Sequence, residues 1–460
     1  MVTTPSTVLA DATIDTWQGR LHGQLLRPGD DRYEHARRVW NGHLDRRPAL
    51  IVRCPGVADV IEAVHFARGN DLLVAVRGGA HNAAGHATCD GGIVLDLTPM
   101  KGIRVDPARR TAQAQAGLLW GEFDRETQVF GLATTGGTAS NTGISGLTLG
   151  GGEGWLQGKY GLTIDNLLSA DVVTADGTCL HASATEHVDL FWGLRGGGGN
   201  FGIVTSFAYR LHEVGPLVLG GMVIHPLAKA REVRRFAQEF FATMPDEAMI
   251  FPALVTTPDG MPAAVLLLGY SGPLAEGERV LAPARTFGPP LADLVQPMPY
   301  VVRQTLNDEA FGTHGVQRYW KSGDARTLSD ALIEVMMEGA MTVTSPMSAM
   351  AIAPFWGASA RVAPEATAFG LRANQWDVNV VAQWVDPAES EQHMAWARKV
   401  WEHLEPLTGG TAYINHIAGD DRPEKVRASY GPNYERLMAL KNQYDPTNLF
   451  RLNPNIRPRV

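Results

Sequence analysis

Two clusters of small residues stand out in the sequence, each beside a run that reads as a β-strand. The first, Arg77-Gly78-Gly79-Ala80-His81-Asn82, follows the apolar run LLVAV at 72–76. Small residues after a buried strand let backbone N–H groups come close to a ligand and cradle a pyrophosphate. The second cluster runs from Gly136-Gly137 to Gly150-Gly151-Gly152-Glu153-Gly154. Gly150 and Gly152 invite comparison with the dinucleotide fingerprint GxGxxG. The third glycine is misplaced, however, and no βαβ unit with an acidic residue about 20 positions on follows, which disfavours a nicotinamide-binding Rossmann domain. Two glycine loops beside separate strands point instead to a dinucleotide stretched between them. A further chemical row lies on DVNVVAQW at 377–384, where Asp377, Asn379 and Gln383 alternate with Val378, Val380 and Trp384. Period-2 alternation predicts a half-exposed strand whose polar row faces a cavity or solvent.

The elements that position these residues are legible in outline. IVRCP from Ile51 reads as a short strand ended by Pro55. GVADVIEAVHFARGN reads as an amphipathic helix with Val57, Ile61, Val64 and Ala67 on one face, and GGIVLDL at 91–97 as a second strand. Strand, helix and strand within 50 residues indicate α/β layering. RRTAQAQAGLLWGEFDRETQVFGL predicts a strand and then a helix carrying Trp120, Phe123 and Thr127 on one side. LSADVVTADGTCLHAS predicts a hairpin turning at Asp176-Gly177. Around Val214-Gly215-Pro216 the glycine clusters stop, and strands and helices alternate to about residue 410, so a domain boundary is placed there. DPAESEQHMAWARKVWEHLEP is a well-signalled helix, with Asp386 as N-cap, Pro387 at N1 and a buried stripe of Trp396, Val400, Trp401 and Leu404. The tail holds one more helix, stopped by Asp445-Pro446. Residues 1–50 read as a polar, Arg-rich lead-in.

Composition excludes several classes. Of 460 residues, 45% are hydrophobic and 19% charged, which rules out wholesale disorder. A net charge of −8 makes a nucleic-acid-binding surface unexpected. No apolar run approaches the roughly 18 residues of a membrane span. Cys54, Cys89 and Cys179 read as reduced thiols of a cytoplasmic protein, and the opening stretch MVTTPSTVLADATIDTW lacks the features of a signal peptide. No His, Cys and carboxylate set has zinc spacing, so no metal is expected.

Several long segments, taken in order, resemble one family. VRGGAHNAAGHATCDGGIVLDL, ATTGGTASNTGISGLTLGGGEGWLQGKYGLTIDNLLSADVVTADG and LFWGLRGGGGNFGIVTSFAYRLH resemble the FAD-binding half of the berberine-bridge-enzyme-like oxidases of the p-cresol methylhydroxylase/vanillyl-alcohol oxidase superfamily. YGPNYERLMALKNQYDPTNLFRLNPNI resembles that family's C-terminal segment. The resemblance implies an α+β fold: a two-part FAD-binding unit, residues 1–214 (core about 45–214) with 411–460, and a substrate cap, 215–410, built on an antiparallel sheet covered by helices. It implies a bacterial type of enzyme that oxidises a small or medium alcohol, amine or phenol-like molecule by two electrons and reduces O2 to hydrogen peroxide. A dehydrogenase with another acceptor and a catalytically lapsed flavin-binding protein stay open as alternatives.

Residue by residue, the resemblance implies that His81 is the covalent attachment point of FAD. Arg77 opens this first loop, and Gly78, Gly79, Ala80 and Asn82 would form the pyrophosphate cradle beside it. Gly137, Ser140, Gly143, Gly146 and Gly150, Gly151 and Gly152 would form the second loop. Tyr160, Asn166, Gly202 and Val204 would line the adenine and ribose side, and Asn453 and Asn455 would return to the flavin ring. Where many relatives carry a second, cysteinyl link, this chain has Ala139, which implies a single attachment. Thr142, near-isosteric with valine, stands at the position that gates oxygen. Relatives place a tyrosine base in an Asn-Tyr pair; here the stretch reads Tyr413-Ile414-Asn415-His416. Hydride transfer from an alcohol or amine needs a base within hydrogen-bond reach. Asp377, His416 and Tyr413 are the candidates, with Asn379 beside Asp377 on the same polar row. Tyr319-Trp320-Lys321 and His86 read as structural, and Asp420, Asp421 and Glu424 as a solvated face.

Overall fold

The computed structural model describes residues 10–459. The expectation of no signal peptide concerns in part residues 1–9, outside the described residues. Among the described residues, no helix is long and apolar enough to cross a membrane.

Three sheets organise the chain. The first combines β1 (Gln24–Leu26), β2 (Leu50–Arg53), β3 (Val74–Arg77) and β4 (Ile93–Asp96) in the order β1-β2-β4-β3. β2, β4 and β3 run parallel, and helix α1 (Val57–Gly69) makes the crossover between β2 and β3. The second sheet is antiparallel and contains β5 (Ile103–Asp106), β6 (Thr111–Gln115), β7 (Leu167–Val173), β8 (Cys179–Ser183) and β9 (Ile203–Arg210), ordered β5-β6-β9-β7-β8. Helix α1 packs against both sheets. Its buried stripe is Val60, Ala63, Val64 and Ala67, whereas Val57 is exposed in the first turn. The expected face was therefore offset: the stripe begins where the helix first lies between the two sheets.

The third sheet is eight-stranded. Its long members are β10 (Leu217–Pro226), β11 (Ala248–Thr256), β12 (Pro262–Tyr270), β13 (Gln317–Ala325), β14 (Ala349–Phe355) and β15 (Gln375–Trp384). They pair antiparallel in the order β10-β12-β11-β14-β15-β13, and two short strands, Ala292–Asp293 and Gln296–Pro299, join β10. Four helices cover one face: α2 (Ala230–Thr243), α3 (Leu274–Thr286), α4 (Asp330–Met341) and α5 (Ser390–Leu404). The carboxylate of Asp386 accepts the Ala388 N–H at 2.9 Å and caps a 3₁₀ turn that leads into α5. Trp396, Val400, Trp401 and Leu404 on α5 are buried, each worth about 1.5–3 kcal/mol of apolar burial.

Two expectations change here. Every residue of β15 is buried, so it is not half-exposed. Its apolar row packs under the helices, and its polar row is covered by the rest of the molecule. The lead-in is also structural: β1 pairs with β2, and Trp40 is fully buried. The apolar core divides in two. One cluster joins Trp120, Phe207 and Tyr209 to the tail residues Leu437, Phe450 and Ile456, and the other joins Trp376 and Val378 to Trp396 and Trp401.

Candidate active site

A cavity of about 780 Å³ lies between the glycine loops of the first two sheets and the open face of the third. Its floor comes from Gly78 to Asn82, from Gly137 to Ala139, from Thr142, Gly143 and Gly146, and from Gly198, Gly199, Gly202 and Val204. The two loops touch back to back: a Cβ on Gly79 would collide with the backbone of Gly143, and the converse holds. At Gly146 and Gly199 an added Cβ would meet no protein atom within 4 Å, so these glycines hold a cradle open towards the cavity. The tail closes the floor with Phe450, Leu452, Asn453 and Pro454. A buried ion pair seats that tail. Lys441 Nζ donates to Asp445 (2.7 Å) and to the carbonyls of Asn200 and Phe450 (both 2.9 Å).

His81 sits in this floor with its ring stacked on Trp40 at 4.2 Å, and its buried Nε2 has no partner. Burial, with help from Arg318 and His314, pushes its pKa down to about 3, so the ring is neutral. A neutral imidazole beside an open cradle of small residues fits a bound dinucleotide such as FAD.

The roof is the open face of the third sheet. Met222, Phe251, Val255 and Leu267 make it apolar, and a row of alanines on β14 (Ala349, Ala351 and Ala353) keeps it high. Asn379 and Gln383 of β15 add polar groups to it, as do Thr256 and Ser348. At one end four elements converge. His416, in the turn Ile414–His416, hydrogen-bonds through Nδ1 to Asp377 Oδ2 at 2.8 Å. Asp377 also accepts from the Asn379 amide at 2.8 Å, and Asn379 in turn accepts from Trp320 Nε1 at 2.8 Å. The Trp320 ring stacks on His416 at 4.8 Å. From the second glycine segment, Glu153 brings Oε1 to 3.7 Å from His416 Nε2, and its other oxygen is buried without a partner. Burial pushes the Glu153 carboxyl up to about 7; His416 opposes that rise and Asp377 adds to it. For His416 burial works downward, but the charges of Asp377 and Glu153 outweigh it and hold the imidazole above its ordinary value. Tyr413 Oη accepts from the Gly152 N–H and from the Asn415 amide, both at 2.8 Å, and burial beside Glu153 raises its pKa.

The other expected site residues fall into two groups. Ala139, Thr142, Asn379, Tyr413 and His416 line the cavity. Asp377 lies behind His416 and does not line it. Arg77 turns away to the Ala36 carbonyl. Ser140 is held by Asp308, with its N–H donating at 2.7 Å and its hydroxyl at 2.5 Å. Gly150, Gly151 and Gly152 pack behind the site against Asn415, Phe369, Tyr413 and Thr163. Tyr160 stacks on His212, and Asn166 bonds His212 and the carbonyls of Tyr160 and Leu162, away from the cavity. Asn455 Oδ1 is buried without a partner and does not line the cavity. Three residues read as bland have larger roles. Trp320 and His86 line the cavity, and Asp421 is a buried partner of Lys321 rather than part of a solvated face. Glu153 escaped notice altogether; its one signal was a lone carboxylate inside GGGEG. Glu153, Asp377 and His416 bring ligand-type atoms within 4.8 Å of one another, a grouping that spacing along the chain could not reveal.

Comparison with known proteins agrees with this geometry. A family model described as FAD binding domain matches residues 48–183, and one described as berberine and berberine like matches 412–457. The chain is 31% identical to (R)-6-hydroxynicotine oxidase of Paenarthrobacter nicotinovorans over 453 residues, covering 95% of this chain and 97% of that one. It is 30% identical to an FAD-linked oxidoreductase of Dictyostelium discoideum, covering 95% of each. The crystal structure of 6-hydroxy-D-nicotine oxidase from Arthrobacter nicotinovorans superposes with a TM-score of 0.88 at 30% identity, over 100% of both chains. The match at both ends of the chain, the full-length relatives and the cradle of small residues around a neutral histidine lead to one conclusion: the chain belongs to the berberine-bridge-enzyme-like family of FAD-linked oxidoreductases and is an FAD-dependent oxidase.

Proposed function

We propose that the chain oxidises a small or medium-sized organic alcohol, amine or phenol-like molecule by two electrons, with dioxygen reduced to hydrogen peroxide. Residues 1–214 with 411–460 hold the cofactor, and 215–410 cover the substrate. FAD, when bound, would supply the redox chemistry, a two-electron oxidant for the substrate and a reductant for dioxygen. The observation that carries the reading is the joint presence, in one cavity, of a neutral His81 with a free nitrogen and a carboxylate-held His416.

His416 is the base in this reading. Asp377 accepts a hydrogen bond from Nδ1, which fixes the tautomer and leaves Nε2 to take the substrate proton. Asp377 then stabilises the imidazolium, and the Trp320 stack holds the ring plane. Glu153, facing Nε2, is the next proton holder. Tyr413 is a poor base by comparison, because two donors already occupy its oxygen and burial favours its neutral form. Asn379 orients Asp377 and closes the polar end of the roof. His81 would hold the flavin by a single covalent tether through the ring nitrogen that no protein group occupies. Ala139 offers no thiol for a second link, and Thr142 leaves oxygen a route of valine-like width. The (R)-6-hydroxynicotine oxidase relative supports an amine among the substrate classes.

Denaturing electrophoresis with in-gel flavin fluorescence tests the tether. A fluorescent wild-type band and a dark His81→Ala band are expected, and a dark wild-type band refutes covalent attachment. Peroxide release across a library of alcohols, amines and phenols tests the activity. A flavin-loaded protein whose reduced form stays inert in air would not be an oxidase.

A further inference from the structure

The second glycine loop is braced from two sides: within the cofactor-side unit the Gly121 and Trp120 N–H groups donate to the carbonyls of Ser140 (2.7 Å) and Thr142 (2.9 Å), and a second set of contacts comes from the substrate-side unit. Residues 304–312 cross over this loop, with the short helix Tyr300–Arg303 leading in and the helical turn Asp308–Phe311 lying above. Four separate contacts tie the strap down. Gln304 Nε2 donates to the Gly137 carbonyl at 3.2 Å and to Asp124 at 2.8 Å. The carboxylate of Asp308 takes both donors of Ser140, the N–H at 2.7 Å and the hydroxyl at 2.5 Å. The Asn141 amide donates to the Gly312 carbonyl. The Phe311 carbonyl accepts the Trp40 indole N–H at 2.6 Å, and Trp40 is the ring stacked on His81. The Asn141 side chain and the Phe311 carbonyl also face the His81 imidazole itself. Leu306, Asn307, Ala310 and Phe311 of the same strap line the cavity.

Two acceptor oxygens used on one backbone N–H and its own hydroxyl fix both the position and the rotation of Ser140, which neighbours Ala139 and Asn141. We propose that the strap 304–312, with Asp308 as its positioning residue, sets the second glycine loop and the His81 ring in register for flavin attachment. Attachment would then require the substrate-side unit to be docked. This rests on the reading of His81 as the tether. The step forms one C–N bond between imidazole and the 8α-methyl carbon and breaks one C–H and one N–H bond; the electron pair leaves through the flavin to dioxygen, which becomes hydrogen peroxide.

The test is the covalent fraction of purified holoenzyme, measured as flavin in the acid-precipitated pellet against the supernatant. Asp308→Ala is expected to shift most flavin to the supernatant, an attachment about tenfold less efficient, since small misplacements of reacting groups are costly. Asp308→Asn keeps an oxygen for the Ser140 N–H and an amide for the hydroxyl, and is expected to restore the pellet fraction; a general loss of stability would not be rescued this way. Asn141→Ala, at a half-buried position, removes another of the strap's contacts with the loop and is expected to lower the pellet fraction whether or not Asp308→Ala accumulates. Wild-type attachment in Asn141→Ala or in Asp308→Ala overturns the proposal. If the wild-type flavin is itself all in the supernatant, the tether reading fails instead. FAD titration of the same proteins then decides the strap: about tenfold weaker binding in Asp308→Ala supports it, and unchanged binding refutes it.

Discussion

Removing the imidazole of His416 deletes the group that takes the substrate proton, and general-base catalysis contributes about 10²–10⁴-fold. His416→Ala is therefore expected to keep its flavin and lose at least about 10²-fold in kcat; steady-state peroxide assays read this directly, and a kcat within threefold of wild type removes His416 from the mechanism. The pH profile separates the base from its partners. Asp377, Glu153 and Tyr413 are the titratable groups that face His416. Since the two carboxylates hold its pKa above the ordinary imidazole value, kcat/KM should fall already as pH drops through that raised value. Asp377→Asn removes a negative charge 2.8 Å away, so His416 loses its proton more readily and the acid limb moves to lower pH. Glu153→Gln should move it the same way by less, from 3.7 Å. An acid limb that stays put in both variants contradicts this arrangement. The 2.8 Å contact is of hydrogen-bond length, and activity is expected to survive dialysis against EDTA; chelator-sensitive turnover would reassign the trio as metal ligands.

At the scale of elements, the tail is seated by the pair Lys441–Asp445, in which both side chains are fully buried. Removing one member of such a pair leaves an uncompensated charge and costs about 3–5 kcal/mol. Lys441→Met should therefore lower the urea midpoint sharply and weaken FAD retention together, because Phe450, Leu452 and Asn453 reach the cavity floor only when the tail is docked. Retained FAD in a destabilised variant would uncouple the two. Asp445-Pro446 was readable as a helix stop, but not as half of a buried pair. The same division runs through the molecule. The glycine loops, the hairpin at Asp176-Gly177 and the Asp386 cap were legible because each is a local conformational requirement stated in adjacent residues. The polar row of β15 was legible as a row, but its partner was not: Asp377 and His416 lie 39 residues apart, and Glu153 arrives from the irregular segment that ends the second glycine cluster. The strand looked half-exposed because alternation records only that its two faces differ, and here one face meets helices and the other a cavity. Tyr160 and Asn166, assigned to the adenine and ribose side by the resemblance, are instead tied to His212 away from the cavity, a packing partner 46 residues on from Asn166 that a motif match does not show.

For the whole molecule, the two units meet over Asp124, a fully buried carboxyl whose Oδ2 accepts from Gln304 of the strap and whose Oδ1 has no partner. Burial pushes its pKa up to about 7, against an ordinary 3.8, although Gln304 and the nearby Arg303 pull the other way. The sign of the consequence follows from proton binding. Between about pH 4 and pH 7 the folded chain keeps this proton and the unfolded chain does not, so Asp124 withdraws stability as pH rises across that window and adds no further penalty above it. The half-buried histidines His86 and His212 act oppositely. Both are pushed down to about 4 by burial, so the unfolded chain binds the extra protons and stability is lost as pH falls below the ordinary value of 6.5. Across the mildly acidic range these groups tilt stability in opposite directions. Asp124→Asn removes one of them and keeps a side-chain oxygen for the Gln304 amide. Its melting temperature relative to wild type should rise from pH 4 to pH 7 and then level off, with a gain on the order of 4 kcal/mol as an upper bound from about 1.4 kcal/mol per pKa unit. Thermal melts at pH 5 and pH 8 measure the gap. An equal gap at both would mean that Asp124 is already ionised at the interface, so that the two units meet across a buried charge rather than a neutral acid.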